Sequence, residues 1–346
     1  MLQKNELLAL MKAVAKAKDT SLSYSFNGES LSYGDMNETL RQELNEIAGT
    51  YNLYRENKNL VFSLIEETMD DILPTRVLER YGDFAETKTF AQGDKPVFTR
   101  KLGRMRAKQF ITRVGLAGIY EVFKLGAESF EVQTSAIGGA AQIGFEEFLD
   151  GRADFAEVTN IVLEGMDELI YREIAKALAA AAGNLPEYNR VSGNSFNETA
   201  LDNIIATVSA YGVPTIYCTR EFAVTMIPAE NWISEEMRNA MWAVGYLANY
   251  KGCRVIILPQ SFEDETNAVK VIDPGYAWII PAGAGNDKPV KIAFEGATHV
   301  RERENEDWSR DIQVYRKVGV AVIMTNNLGV YHNTSLSTNN AIPSIG

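Results

Sequence analysis

Residues 153–183 have the sequence ADFAEVTNIVLEGMDELIYREIAKALAAAAG, in which apolar residues recur at helical spacing. Gly183 and the following Pro186 are typical of a helix C-terminus. A helix over 153–182 would be about 45 Å long. Its apolar face would carry Phe155, Val162, Met166, Leu169, Ile170, Ala177 and Ala181, interrupted by Glu173. Its opposite face would carry Glu157, Glu164 and Glu168, so the sequence predicts a strut with one packed and one charged side.

Charge around this helix is segregated along the chain. Residues 146–173 carry nine acidic and two basic side chains, and residues 95–113 carry seven basic and no acidic ones. The basic residues are Lys95, Arg100, Lys101, Arg104, Arg106, Lys108 and Arg113. We expect them to contact Glu157, Glu164 and Glu168 of a second copy of the chain. Two simpler alternatives need no partner. The basic residues would only protect a strand edge from pairing, and the acidic face would only be solvated.

The basic run belongs to a strand-like segment, residues 84–114, with turn residues at 92–96. This pattern predicts a long β-hairpin. An isolated two-stranded ribbon is marginally stable in water, so the hairpin would have to lie on another surface.

Upstream, the pattern predicts helices at 3–17, 36–47 and 58–72, the last ending before Pro74. Because residues 1–50 are polar and broken at 20–34, we expect a loosely attached arm. Short strands are predicted near residues 120–124, 129–134 and 140–145.

Downstream, the predicted helices and strands alternate as in an α/β domain. Helices are predicted at 202–211, 220–226 and 234–249, and strands at 215–218, 254–258, 268–272 and 277–280. Further strands at 290–294, 298–303 and 312–322 are expected to return beside the long helix. The α/β lobe would then be an insertion in a more elongated domain.

Composition excludes several function classes. The formal net charge of −12 disfavours a general nucleic-acid binder, and two cysteines and two histidines leave few metal ligands. We expect Cys218 and Cys253 to be buried and His299 and His332 to be structural. Residues 283–288 lack the Ser/Thr of a phosphate loop and precede Pro289. We predict no catalytic residue, no cofactor, no metal site and no membrane span.

The order of these elements resembles that of the major capsid proteins of tailed bacteriophages, from about residue 57 onward. The resemblance also rests on the stretches DGRADF at 150–155, YREIA at 171–175, GCRVI at 252–256 and KVGVAV at 317–322. It implies the α+β phage-capsid fold shared with encapsulins. The implied parts are an N-terminal arm (1–56), a first piece of a peripheral domain (57–83), an extended hairpin loop (84–114), the peripheral domain with its spine helix 153–182 (115–197), an inserted α/β axial domain (198–285), and the return strands and C-terminus (286–346).

The resemblance further implies a non-enzymatic shell protein of the virion, assembled in the host cytoplasm. Copies would join through heterologous contacts into hexamers and pentamers of an icosahedral head around double-stranded DNA. Portal, scaffolding and decoration proteins are the other expected partners. Two alternatives stay open: an encapsulin-type compartment, which encloses a cargo protein and no genome, and an α/β enzyme with a nucleotide site at the turn 282–288.

Overall fold

The structure is a computed structural model that describes residues 3–17, 24–26, 29–101, 127–143, 155–227, 245–258, 260, 262, 266–282, 288–306, 310–323 and 327–337. The helices are α1 (Lys4–Ala17), α2 (Tyr33–Ala48), α3 (Tyr51–Tyr81), α4 (Phe155–Ala182), α5 (Glu198–Ser209) and α6 (Arg220–Thr225). The helix α4 confirms the strut predicted at 153–182.

The strands before α4 are β1 (Tyr24–Phe26), β2 (Glu29–Leu31), β3 (Ala85–Phe90), β4 (Val97–Lys101), β5 (Ala127–Glu131) and β6 (Ser135–Ile143). Those after α4 are β7 (Arg190–Gly193), β8 (Val213–Cys218), β9 (Asn249–Tyr250), β10 (Cys253–Ile257), β11 (Tyr276–Ala282), β12 (Val290–Glu304), β13 (Arg310–Val322) and β14 (Gly329–Asn333). The strand β13 confirms the long β-branched run, and β12 joins two predicted strands through an irregularity between Glu295 and His299.

Two larger sheets organise the described residues. A four-stranded sheet has the order β3-β12-β13-β6, and a six-stranded sheet has the order β7-β14-β11-β8-β10-β9. The helices α3 and α4 pack on the first sheet. Along β13, the even-numbered residues from Ile312 to Val318 are buried, whereas Tyr315 on the other face is 42 % exposed. The face towards the helices is therefore covered, whereas the opposite face is exposed at Tyr315 and buried at Ala293, which packs with Phe98.

Aromatic contacts join the four-stranded sheet and its helices to the six-stranded sheet. The ring centroids of Phe84 and Tyr217 are 5.0 Å apart, and those of Phe84 and Tyr81 are 6.1 Å apart. One apolar cluster runs from α1 through α3 and α4 to Trp278 in β11. A second cluster, around Phe222, fills the α5 and α6 side of the six-stranded sheet. The contacts across Phe84 and Tyr81 make the two parts share a core.

The helix α3 is longer than the sequence predicts, and it contains Pro74. The prediction that the helix ends before this proline is wrong. Proline removes the N–H that would bond the carbonyl of Asp70. The buried guanidinium of Arg316 replaces that donor: its Nη1 lies 3.4 Å from the Asp70 carbonyl oxygen and 3.5 Å from that of Met69.

The N-terminal region is not a loose arm. The side chains of Leu7, Leu10, Met11 and Val14 in α1 are buried in the main apolar cluster. Polar contacts reinforce this docking, since Lys12 pairs with Asp71 at 2.8 Å and Arg76 donates to the carbonyl of Ala15 at the end of α1. The polar composition suggested a loose arm, but the polar residues lie on the solvent-facing sides of α1 and α2.

Truncation of Leu10 tests this docking. Leu10→Ala should lower the free energy of unfolding by about 2–5 kcal/mol, because the side chain is fully buried. Urea denaturation measures the change. The matched control is Asn5→Ala on the exposed side of α1, for which we expect a change within about 0.5 kcal/mol. Equal effects of the two substitutions would mean that α1 does not contribute to the core.

The predicted hairpin at 84–114 is also wrong in its pairing. The strand β3 pairs in parallel with β12, whereas β4 pairs antiparallel with β5 to form a separate two-stranded ribbon. The turn at 92–96 therefore connects two different sheets. Residues 102–114 lie outside the described part of the chain.

The C-terminal return is only partly as predicted. The strand β13 does lie beside α4, and β12 lies beside α3, but β14 pairs with β11 and β7 in the six-stranded sheet. The α/β lobe therefore takes strands from residues 190–282 and from 329–333, not from 198–285 alone. Residues 266–272 form no strand beyond a single bridge between Phe262 and Lys270, and Asn249 begins β9 where a helix was predicted. The strand predicted at 120–124 and most of the helix predicted at 234–249 fall outside the described residues.

Candidate subunit interface

The base of the β4–β5 ribbon is fixed to the body of the protein by aromatic packing. Phe98 in β4 is fully buried, and its ring lies 5.7 Å from that of Phe90 and 6.0 Å from that of Phe130. Lys88 lies 4.9 Å from the centre of the Phe98 ring. The ribbon is thus packed on the four-stranded sheet through Phe98, although its two strands pair only with each other within the described residues.

The predicted basic contact residues are only partly described. Lys95 is highly exposed and pairs at 3.4 Å with Glu131 on the neighbouring strand. Arg100 and Lys101 lie in β4, in register with Glu128 and Ala127. Arg104, Arg106, Lys108 and Arg113 lie outside the described residues. The structure brings Lys95 to an acid of its own ribbon and not to α4.

The predicted acidic face of α4 is exposed, as the sequence indicates. Glu164 and Glu168 face solvent, and the carboxylate of Glu157 lies 3.7 Å from Arg41 of α2. Asp167 belongs to a different environment, because it is buried and paired with Arg80 of α3. Glu173, predicted to interrupt the apolar face, is exposed and lies 3.4 Å from Lys176. The acidic stretch is therefore divided between an exposed face and internal ion pairs.

Buried charges beside the ribbon were missed by sequence reasoning. Lys291 of β12 has no exposed surface and pairs with Glu86, which lies directly opposite on β3. Glu295 accepts hydrogen bonds from Thr134, from Lys317 at 3.0 Å and from the backbone N–H of Gly93 at 3.3 Å. The isolated lysine in the apolar run VKIAF is the signal that could have indicated such a pair.

Three carboxylates of the four-stranded sheet have lowered pKa values: Glu86 in β3, and Glu295 and Glu302 in β12. Burial alone would raise the pKa of Glu86, but hydrogen bonds from Lys291 and Lys88 outweigh it. Burial would also raise the pKa of Glu302, but its ion pairs with Arg310 and Lys58 lower it by more. The pKa of Glu295 is lowered chiefly by its bonds from Thr134 and Lys317.

Stability should accordingly fall in acid. A carboxyl group whose folded-state pKa is below its unfolded value stabilises the fold above about pH 4.3, and this contribution is lost as pH falls through the folded-state pKa. We expect the unfolding midpoint in urea to drop steadily below about pH 5, and Glu86→Gln to make that drop smaller. A midpoint that is constant from pH 7 to pH 3.5 would contradict the assignment.

The histidines and cysteines take structural positions. His332 stacks on Tyr276 at 4.1 Å between ring centroids, and its Nε2 lies 2.8 Å from the hydroxyl of Ser337. Cys218 and Cys253 are buried free thiols, as predicted, and burial raises the pKa of Cys218 to about 12. Within the described part of the chain, no helix is both long and apolar enough to cross a membrane.

Comparison with known families decides what kind of protein this is. Residues 6–332 match the family described as "SPbeta prophage-derived putative capsid protein YonB". The chain belongs to this YonB capsid family. It is thus a capsid protein of phage origin, which confirms the resemblance inferred from the order of its elements.

Several solved structures are similar to this chain. The capsid protein of the cyanophage P-SCSP1u aligns with a TM-score of 0.51 at 10 % identity, covering 73 % of this chain and 87 % of that one. The head protein of Helicobacter pylori bacteriophage KHP40 aligns at 0.48 and 13 % identity, covering 73 % and 90 %. The SrpI encapsulin from Synechococcus elongatus aligns at 0.43 and 11 % identity, covering 72 % and 86 %. The likeness to the P-SCSP1u protein shows the phage-capsid fold.

A search of the curated proteins found no sequence that matches this YonB-family protein. The family assignment points to the virion as its location and to a structural rather than a catalytic role.

Proposed function

We propose that this capsid protein is the major shell subunit of a phage head, assembling through heterologous contacts into the hexamers and pentamers of an icosahedral particle. The observation that carries the proposal is the match to a capsid family over nearly the whole chain. A heterologous contact joins two different surfaces, and several such contacts combined can close a shell.

The sequence supplies the unlike charges that such a contact would use. The β4–β5 ribbon starts the basic segment, while Glu164 and Glu168 expose acid on α4. Single exposed ion pairs contribute about 0–1 kcal/mol, so the charges would steer and register subunits while burial and multivalency hold them. The contact set proposed from the sequence therefore remains the basic residues of 95–113 against Glu157, Glu164 and Glu168.

The domain roles follow by analogy with the fold. The four-stranded sheet with α3 and α4 would act as the peripheral domain, and α1 and α2 would belong to it. The six-stranded sheet with α5 and α6 would act as the axial domain around five-fold and six-fold axes. The β4–β5 ribbon would be the base of the extended loop.

The enclosed material would be double-stranded DNA, held without sequence-specific binding. A net charge of −12 suits an inner shell surface that does not bind the DNA phosphates tightly. Portal, scaffolding and decoration proteins would be the other partners in the virion, with assembly in the host cytoplasm.

Particle mass tests the shell function directly. The purified protein should form closed particles in negative-stain images and a megadalton species by light scattering, while a monodisperse small species that binds nucleotide would contradict it. The contents of particles formed during infection separate the alternatives. DNA supports a phage head, whereas an enclosed cargo protein without DNA indicates an encapsulin-type compartment.

A further inference from the structure

A polar cleft of about 350 Å³ lies where the start of α3 meets the end of the β12–β13 hairpin. Its lining residues are Tyr51, Tyr54, Arg55 and Lys58 of α3, Glu304 of β12 and Arg310 of β13. A cavity of this volume is at the small end of those that hold small-molecule ligands. None of its residues belongs to the charged segments proposed for subunit contacts, so the cleft needs an explanation of its own.

The cleft carries more cationic than anionic side chains. Arg55, Lys58 and Arg310 line it, and Glu304 is the acid on its wall. Glu302, which is 11 % exposed, pairs with both Lys58 and Arg310. Three cations against two carboxylates leave a local charge of +1, in a chain whose net charge is −12. The cleft therefore favours an anion where the rest of the molecule disfavours one.

Arg310 is held rigidly at the wall of this cleft. Its Nη1 donates to Glu302, and its Nη2 lies 3.2 Å from the hydroxyl of Tyr51 and 3.3 Å from the carboxylate of Glu304. The guanidinium carbon lies 5.4 Å from the centre of the Tyr51 ring. A cation fixed in this way loses little conformational entropy when it binds a ligand.

The helix α3 places a second arginine on the same cleft. Tyr51, Arg55 and Lys58 are four and three residues apart, so they share one face of the helix. Arg55 is exposed and forms no ion pair with a described residue. Its planar guanidinium therefore keeps the paired donors that match the oxygens of a phosphate.

The direction of α3 supports the same kind of ligand. The helix has 31 residues, with Thr50 as its N-cap and Tyr51 as its first residue. The backbone N–H groups and the dipole at this end of a helix stabilise a nearby anion. This effect adds to the side-chain charges, which remain the main evidence for the site.

We propose that this cleft binds a phosphate group, either free or carried by nucleic acid, with Arg55, Lys58 and Arg310 as its donors. A phosphate presents more acceptor oxygens than a carboxylate, so it can use several converging cations at once. The site lies within one subunit and does not depend on how subunits assemble. Its failure would therefore leave the proposed shell function intact.

Calorimetric titration of the full-length protein with inorganic phosphate tests the site. At an ionic strength of about 0.15 M, the Debye length of about 8 Å screens distant acidic residues. We expect Arg55→Gln to weaken binding at least about tenfold, because it removes charged donors without breaking an ion pair within the described residues. The matched control is Arg303→Gln, which removes the same charge from the face of β12 opposite to Glu304. Its affinity should stay within about twofold of the wild type.

A second variant should change the affinity in the opposite direction. Glu304 is 51 % exposed, so Glu304→Gln should leave the fold intact while removing the acid on the wall of the cleft. We expect it to bind inorganic phosphate about threefold more tightly. Unchanged or weaker binding by this variant would contradict the proposal, since cations with a purely structural role would give no gain.

The same titrations with a short DNA duplex distinguish the two sources of phosphate. Weakening by Arg55→Gln with inorganic phosphate alone would identify a free phosphate, and weakening with the duplex alone would identify nucleic acid. Weakening with both would mean that the phosphate group is recognised whatever carries it. Two results overturn the site: no binding of either probe by the wild type, or equal weakening by Arg55→Gln and Arg303→Gln.

Discussion

Reversing Arg104, Arg106 and Lys108 to glutamate together should leave a soluble, folded subunit that forms no closed particles. The substitution turns the middle of the basic segment acidic, so it would face Glu164 and Glu168 of a neighbour with like charge. Like charges placed across an interface cost several kcal/mol and also remove the steering of encounter. Because each shell repeats the contact many times, the loss multiplies over the particle. Negative-stain electron microscopy and light scattering measure the result.

A charge-conserving variant supplies the control. Exchanging the same residues as Arg104→Lys, Arg106→Lys and Lys108→Arg keeps the number of cations and should preserve assembly. Circular dichroism should show the same helix content in both variants, because the body of the protein is unchanged. Particles of normal size from the reversed variant would remove charge docking as the cause of assembly.

The local patterns of the sequence predicted two of the long elements, α4 and β13, well. The amphipathic run of α4 and the β-branched run of β13 are each longer than ten residues, and both lie within two residues of their predicted bounds. In such runs, the local preference of the residues for helix or strand and the pattern of apolar positions indicate the same element. The capsid fold could be inferred because it depends on the order of these elements.

Strand pairing was harder to predict because it is decided by distant residues. The segments 85–90 and 97–101 are strands on either side of a turn with Gly93 at φ 87°, which is the local signature of a hairpin. The strand β3 nevertheless pairs with β12, some two hundred residues later, where Lys291 meets Glu86. No feature within residues 84–114 carries that information.

The candidate interface was predicted less completely than the fold. Exposure of Glu164 and Glu168 follows from their helical spacing, whereas burial of Asp167 follows from the position of Arg80 on α3. The uncharged edge of β6 is visible in its sequence. Whether β6 lies at the edge of its sheet depends on the pairing of distant strands, so only the structure shows that this uncharged strand is an edge.

Arg316 is the buried cation that accommodates Pro74. Arg316→Met should lower the free energy of unfolding by about 3–5 kcal/mol, because it removes one partner of a buried network. The guanidinium lies 3.4 Å from the Asp70 carboxylate and 4.8 Å from the centre of the Phe294 ring, in addition to the carbonyls of α3. Chemical denaturation measures the loss. Arg301→Met on the exposed part of β12 is the control, with an expected change within about 0.5 kcal/mol.

A double-mutant cycle separates this role of Arg316 from simple packing. Pro74→Ala restores the N–H that can bond the Asp70 carbonyl, so it should stabilise the Arg316→Met protein more than the wild type. A coupling of about 0.5–3 kcal/mol is expected for groups that share one acceptor, whereas independent sites add within about 0.3–0.5 kcal/mol. If the two substitutions add, Arg316 stabilises the sheet without compensating for the proline, and the continuation of α3 to Tyr81 must depend on the burial of Val77 and Tyr81 alone.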